Sequence, residues 1–117
     1  MTSESTTPQG TKHDEGKVCI DLMPPEAIER TAVVFTFGAK KYGDYNWRKG
    51  IHFSRVFAAT MRHLWAWWRG EETDKESGLS HLDHAACCIN MLQAYDSNFG
   101  YLPLDDRFFK KVKFPNT

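Results

Sequence analysis

Between Arg62 and Ala85 the chain sets Arg62-His63, Glu71, Asp74, Ser77-Gly78, His81 and His84 between two strongly apolar segments. Imidazoles can ligate a metal, carry a proton or, once protonated, attract an anion. Carboxylates can chelate a hard divalent ion that keeps waters for substrate phosphates. His81 and His84 stand three apart, which on a helix turns both rings to one face, close enough to share a metal or a phosphate. A pair of half-buried, hydrogen-bonded histidines would have the same spacing. Glu71 and Asp74 form an E-x-x-D pair directly after Gly70, readable as ion ligands or as part of a solvated loop with Glu72, Lys75 and Glu76. Arg62, inside an apolar helix, calls for a partner, either a nearby carboxylate or a bound phosphate.

A second group lies upstream. Phe37-Gly38-Ala39-Lys40-Lys41-Tyr42-Gly43, followed by Asn46 and Trp47, combines cations, an amide and flat rings. Lys40 and Lys41 can neutralise phosphate, Asn46 can read a purine edge, and Tyr42 or Trp47 can stack on a base. The two lysines also suit the negative end of a helix dipole. Cys87 and Cys88 fall mid-helix in apolar surroundings, where inert packing is the better reading.

These groups need helices to hold them. Lys17–Met23 reads as a short extended piece leading into Pro24-Pro25, and proline is tolerated in a first helical turn. Glu26 and Glu29 favour that helix start, and Ile28, Ala32, Phe35, Ala39 and Tyr42 continue it at helical spacing until Gly43. A loop fills 43–50. A second helix starts near Ser54, a reasonable cap, and stops at Gly70; its apolar residues cover more than one face. Ser80 with Asp83 can cap a third helix running to about Tyr95. One face of it reads His81, His84, Cys88, Met91, Tyr95, and the other Leu82, Ala86, Ile89. The short loop from Gly70 to Leu79 should fold the third helix back on the second, so that His63, Arg62, His81 and His84 face one pocket.

The expected architecture is therefore all-α, with three main helices forming a bundle completed by a second chain. Three helices are a thin core for aromatics at 14% that include Trp47, Trp65, Trp67 and Trp68. Residues 1–13, rich in Ser, Thr, Pro and Gly, read as disordered; 14–96 form the domain; 97–117 form an irregular arm broken by Pro103 and Pro115. A formal net charge of zero argues against a general nucleic-acid or anionic-membrane binder. No apolar run approaches a membrane span, and the polar N-terminus lacks the apolar core of a secretory signal. Three cysteines, two of them adjacent, point to a reducing compartment such as the cytoplasm.

Lys12-His13-Asp14-Glu15-Gly16-Lys17, Asp21-Leu22-Met23-Pro24-Pro25-Glu26-Ala27, Phe37–Gly43, Asn46-Trp47, Arg62-His63, Gly70-Glu71, Asp74, Glu76-Ser77-Gly78, His81-Leu82 and His84-Ala85 come in an order that is specific. In it the chain resembles the phage-associated dATP/dGTP diphosphohydrolase N-terminal domain family, a relative of MazG-like all-α nucleotide pyrophosphatases. The resemblance covers roughly residues 12 to 95. It implies a helical homo-oligomer in a host cytoplasm, a purine nucleotide ligand and, for active members, pyrophosphate release with Mg2+ (or Mn2+). The MazG-type pairing of E-x-x-E with E-x-x-D has its nearest equivalents here in Glu26/Glu29 and Glu71/Asp74.

Two functions follow. In a hydrolase, Glu29, Glu71 and Asp74 would position the metal, while Lys40, Lys41 and Arg62 hold phosphates. His63, His81 or His84 would orient water or phosphate, with Tyr42, Asn46 and Trp47 around the base; Glu71, Asp74 and His81 would be the catalytic set. In a non-catalytic sponge, the same cations and aromatics would sequester a nucleotide-derived signal, cyclic or ADP-ribose-derived, with no metal.

Overall fold

The computed structural model describes residues 6–111 of the 117-residue chain. Three α-helices carry the domain: α1 over Pro25–Tyr42, α2 over Phe53–Trp68 and α3 over His81–Asp96. No strand occurs among the described residues, so the all-α expectation holds. Residues 6–13 are exposed and carry no helix or strand; 1–5 of the segment read as disordered lie outside the described residues.

Helix α1 has Pro25 at its first position, where the missing N–H costs nothing, and ends as the Gly43 N–H reaches the Ala39 carbonyl at 2.8 Å. Helix α3 packs against both α2 and α1 and is the centre of the fold. The core is built where its second half meets the start of α2: Phe53, Val56, Cys88 and Tyr95 are buried together, with Trp47, Ile51, Met91, Tyr101 and Leu104 against them. The Phe53 and Tyr95 rings stack with centroids 5.8 Å apart, and the Tyr95 hydroxyl donates to the Trp47 carbonyl at 2.5 Å. The face of α3 read from the sequence is the one that turns inward, since His81, Cys88 and Tyr95 are buried while Leu82 and Ile89 are exposed.

Several local readings change. Lys17–Met23 is not extended; it contains a 3-10 turn at Ile20–Leu22, and a further 3-10 turn, Asn46–Lys49, interrupts the 43–50 loop. Helix α2 begins at Phe53 after His52, and Ser54 is not its cap. The Ser54 N–H and hydroxyl instead donate to Asp106, at 2.8 and 2.5 Å, so a carboxylate from the C-terminal segment satisfies an amide of the first turn. Ser80 does cap α3, accepting from the Leu82 N–H at 3.1 Å, but Asp83 faces away from that role and accepts from Arg30 Nε of α1 at 2.9 Å. The C-terminal arm is less irregular than Pro103 implies: 3-10 turns span Phe99–Leu104 and Phe108–Lys111, and Tyr101 and Leu104 lie on their own chain's core. Pro115 lies outside the described residues.

The cysteines divide by environment. Cys19 is exposed, whereas Cys87 and Cys88 are buried; burial pushes the Cys87 thiol up to about 12 and raises that of Cys88 as well. A thiol reagent at pH 8 should therefore titrate one cysteine in the folded protein and all three after denaturation. Fast reaction of more than one thiol without denaturant would contradict this packing.

Candidate functional site: a histidine–carboxylate cluster beside a cleft

The cluster depends on how α2 ends. Gly70, with φ of 96°, takes the left-handed turn, and the N–H groups of Gly70 and Glu71 return to the carbonyls of Trp67 and Ala66 at 3.0 and 2.9 Å. This is the paired C-terminal closure that glycine permits. The chain then folds on itself. Asp74 N–H bonds the Leu79 carbonyl at 2.8 Å, His81 N–H bonds the Glu72 carbonyl at 3.0 Å, and Thr73 bridges to Ser80. A pinned loop thus brings Glu71, Asp74 and Ser77 against the first turn of α3 and against His63 of α2.

Glu71 Oε2 lies 2.6 Å from His81 Nε2, and His81 Nδ1 lies 2.8 Å from His63 Nδ1. A carboxylate can only accept, so His81 donates from Nε2; in its neutral form Nδ1 is bare and accepts the Nδ1 proton of His63. The His63 ring in turn stacks on His84, centroids 4.6 Å apart and planes 10° from parallel. His84 Nε2 reaches the Ser77 hydroxyl at 2.6 Å, and that hydroxyl also contacts Asp74 Oδ2 at 3.1 Å and the Leu79 N–H at 3.1 Å. Ser77 donates its one proton to Asp74 and accepts from the other two. Its lone pairs are engaged, so it is a brace and not a nucleophile.

The surroundings disfavour a positive charge on two of the rings, His63 and His84. Burial lowers His63, and the neighbouring His84 and His81 lower it further. Burial also lowers His84, against the pull of Asp74. For Asp74 itself burial works upward, but the Ser77 backbone and hydroxyl bonds together with His84 outweigh it and leave the carboxyl below its ordinary value. One ligand atom each from His63, Asp74 and His81 can be chosen so that all lie within 4.8 Å of one another. Neutral imidazoles and an ionised carboxylate are the forms that bind cations.

His63, Asp74 and His84 also line a cleft of about 920 Å³ bounded by α1, the 43–47 segment, α2 and α3. Of the residues singled out from the sequence, Lys41, Tyr42, Asn46 and Trp47 line it too. Lys41 is ion-paired with Glu76, and that bond raises its pKa. Trp47 is half-buried and covered by the Arg48 guanidinium, 4.4 Å from its ring, so it serves the core as well as the cleft. Lys40 and Arg62 are exposed and outside the lining. Glu29 is exposed on α1 and does not join the group of three, while Glu71 touches that group through His81. The arginine of α2 that does line the cleft is Arg55, unremarked in the sequence; its backbone N–H donates to the His52 carbonyl at 3.0 Å, and its side chain lies along the lining. Phe37, edge-on to His84 at 6.4 Å, and the pinning residue Ser77 were also not assigned roles beforehand. Both lie in motifs that carry the family resemblance, Phe37–Gly43 and Glu76-Ser77-Gly78, which was the signal for them.

Fold and site together define an all-α chain that presents a half-buried imidazole–carboxylate cluster to a cleft lined by cations and aromatic rings. The chain belongs to the family described as dATP/dGTP diphosphohydrolase, N-terminal, which matches residues 7–106. It is 38% identical over 77 residues to a dATP/dGTP diphosphohydrolase of Salmonella phage PMBT28, covering 66% of this chain and 26% of that protein. The matched region thus spans about a quarter of the relative's length. No solved structure matches the chain. Among the described residues no helix is long and apolar enough to cross a membrane.

Proposed function

We propose that this chain binds a purine (deoxy)nucleoside triphosphate in the cleft and takes part in its metal-dependent hydrolysis with release of pyrophosphate. One observation carries the reading: the histidine–carboxylate cluster opens onto the same cleft as Lys41, Arg55 and the aromatic segment 42–47. Phosphate oxygens would meet Lys41 and Arg55, displacing Glu76 from Lys41, while Tyr42 or Trp47 offers a face and Asn46 an amide to the base. A divalent ion, for which the family resemblance implies Mg2+ or Mn2+, would supply charge stabilisation at the phosphates. His63 or His84, both in the lining, would orient or exchange a proton with attacking water. Family membership supports the nucleotide and its hydrolysis; the relative's name supports dATP and dGTP as the first substrates to try.

Exposed Trp65, Trp68 and Phe57 on α2 support self-association, with a second chain covering them. The sponge reading keeps one supporting observation, since Glu29 does not gather with Glu71 and Asp74 into an all-oxygen metal site.

Incubation with dATP or dGTP and Mg2+ or Mn2+ should release pyrophosphate, and Lys41→Ala should weaken nucleotide binding on the order of tenfold, the loss of one charged hydrogen bond. Intact nucleotide recovered from the denatured protein after long incubation across a purine panel would replace the hydrolase with the sponge.

A further inference from the structure

We propose that His63 Nδ1, His81 Nδ1 and Asp74 form a binding site for a borderline first-row transition ion, of the Zn2+ or Co2+ kind, in preference to Mg2+. Oxygen-only ligation suits Mg2+, which holds its waters tightly and favours carboxylates and phosphates. Here two of the three donors are imidazoles, the ligands that suit zinc and its neighbours. The acids that would make an oxygen site are not assembled: Glu29 is outside the group and Glu71 is engaged with His81.

The geometry points the same way. Two imidazole nitrogens on a tetrahedral ion at about 2.0–2.1 Å sit roughly 3.3 Å apart. His63 Nδ1 and His81 Nδ1 are 2.8 Å apart, so a small opening of the pair admits the ion in place of the proton they share. His63 then carries its proton on Nε2. His81 needs no such change, because Glu71 already fixes its Nε2–H and leaves Nδ1 bare. A carboxylate holding the far nitrogen of a ligating histidine is the usual outer support of such sites. The His84 ring, stacked flat on His63, holds the second imidazole in plane, and Ser77 with the loop amides holds Asp74. His63 and Asp74 line the cleft while His81 is buried behind them, so the ion's remaining positions face the space where a ligand enters.

The test uses metal alone, so failure of nucleotide turnover leaves it untouched and its own failure leaves nucleotide binding standing. Chelator-stripped protein titrated with Co2+ should develop visible d–d bands saturating at one ion per chain, bleached by Zn2+ and unaffected by excess Mg2+. Glu71→Ala should weaken Co2+ binding about 10–100-fold through loss of support to His81. His63→Gln, at a half-buried position, should abolish the bands while circular dichroism stays helical. Because His81→Ala can disturb packing, the wild-type Zn2+ and Mg2+ competition stands as the independent measurement. Absence of Co2+ bands, displacement of Co2+ by equimolar Mg2+, or undiminished binding in folded His63→Gln would each overturn the assignment.

Discussion

Asp74→Asn should lower pyrophosphate release from dATP or dGTP by about 10²–10⁴-fold, the range for removing a positioned charged group from a reaction centre. The substitution is close to silent for the fold. Asp74 Oδ2 accepts the Ser77 N–H at 2.9 Å, the Glu76 N–H at 3.1 Å and the Ser77 hydroxyl, and an amide oxygen in its place can keep the two backbone bonds. What disappears is the negative charge between His63, His81 and His84. Nucleotide affinity, which rests on Lys41, Arg55 and the aromatic segment, should change by less than tenfold. Steady-state rates with direct binding measured on the same variant separate the two. Undiminished turnover in Asp74→Asn would mean that the chemistry lies elsewhere.

Gly50→Ala should be the most damaging single methyl in the described chain. Gly50 has φ of 97° and ψ of 144°, a region that side chains avoid at a cost of about 1–3 kcal/mol. A β-carbon there would stand 2.4 Å from Leu104 Cδ1 and 3.2 Å from Tyr101, both pressed on the core, adding about 1–3 kcal/mol of overpacking. Together roughly 2–6 kcal/mol is lost, which at about 4 °C per kcal/mol lowers Tm by about 8–24 °C. Gly38→Ala is the natural control. Gly38 lies inside α1 with nothing within 4 Å of an added β-carbon, and alanine there should stabilise by about 0.5–1 kcal/mol. Thermal melts of the two variants should move in opposite directions, and a Gly50→Ala melt at the wild-type temperature would refute the account of this contact.

Local spacing carried much of the architecture. The i, i+3 relation of His81 and His84, the buried stripe through Cys88 and Tyr95, and the glycine after α2 are properties of short windows, and all three are realised. Loop length brought His63 onto His81 because a ten-residue return leaves little choice of partner. Side-chain direction at the edges of faces was not legible. Arg55 and Arg62 differ by two helical turns and only about 20° in phase, so periodicity cannot say which reaches the cleft. Depth along α2 decides it: Arg55, two turns nearer the helix start, is the one in the lining. Glu29 fails to meet the other acids for a similar reason: Arg30, its neighbour about 100° around α1, is the residue that faces α3 and pairs with Asp83. Contacts such as Asp106 on Ser54, 52 residues apart, have no sequence signature at all.

The indoles of α2 bear on how the protein can be followed in solution. Trp65, Trp67 and Trp68 are 56%, 36% and 74% exposed, leaving Trp47 as the one tryptophan packed with the core. In a lone chain intrinsic emission would be dominated by water-relaxed fluorophores, red-shifted before any denaturant is added. Unfolding of a single chain would therefore barely move the spectrum, while burial of that face by another molecule would shift it to the blue. If chains associate through that face as proposed, tryptophan fluorescence would report it, and dilution, not urea, would be the informative titration.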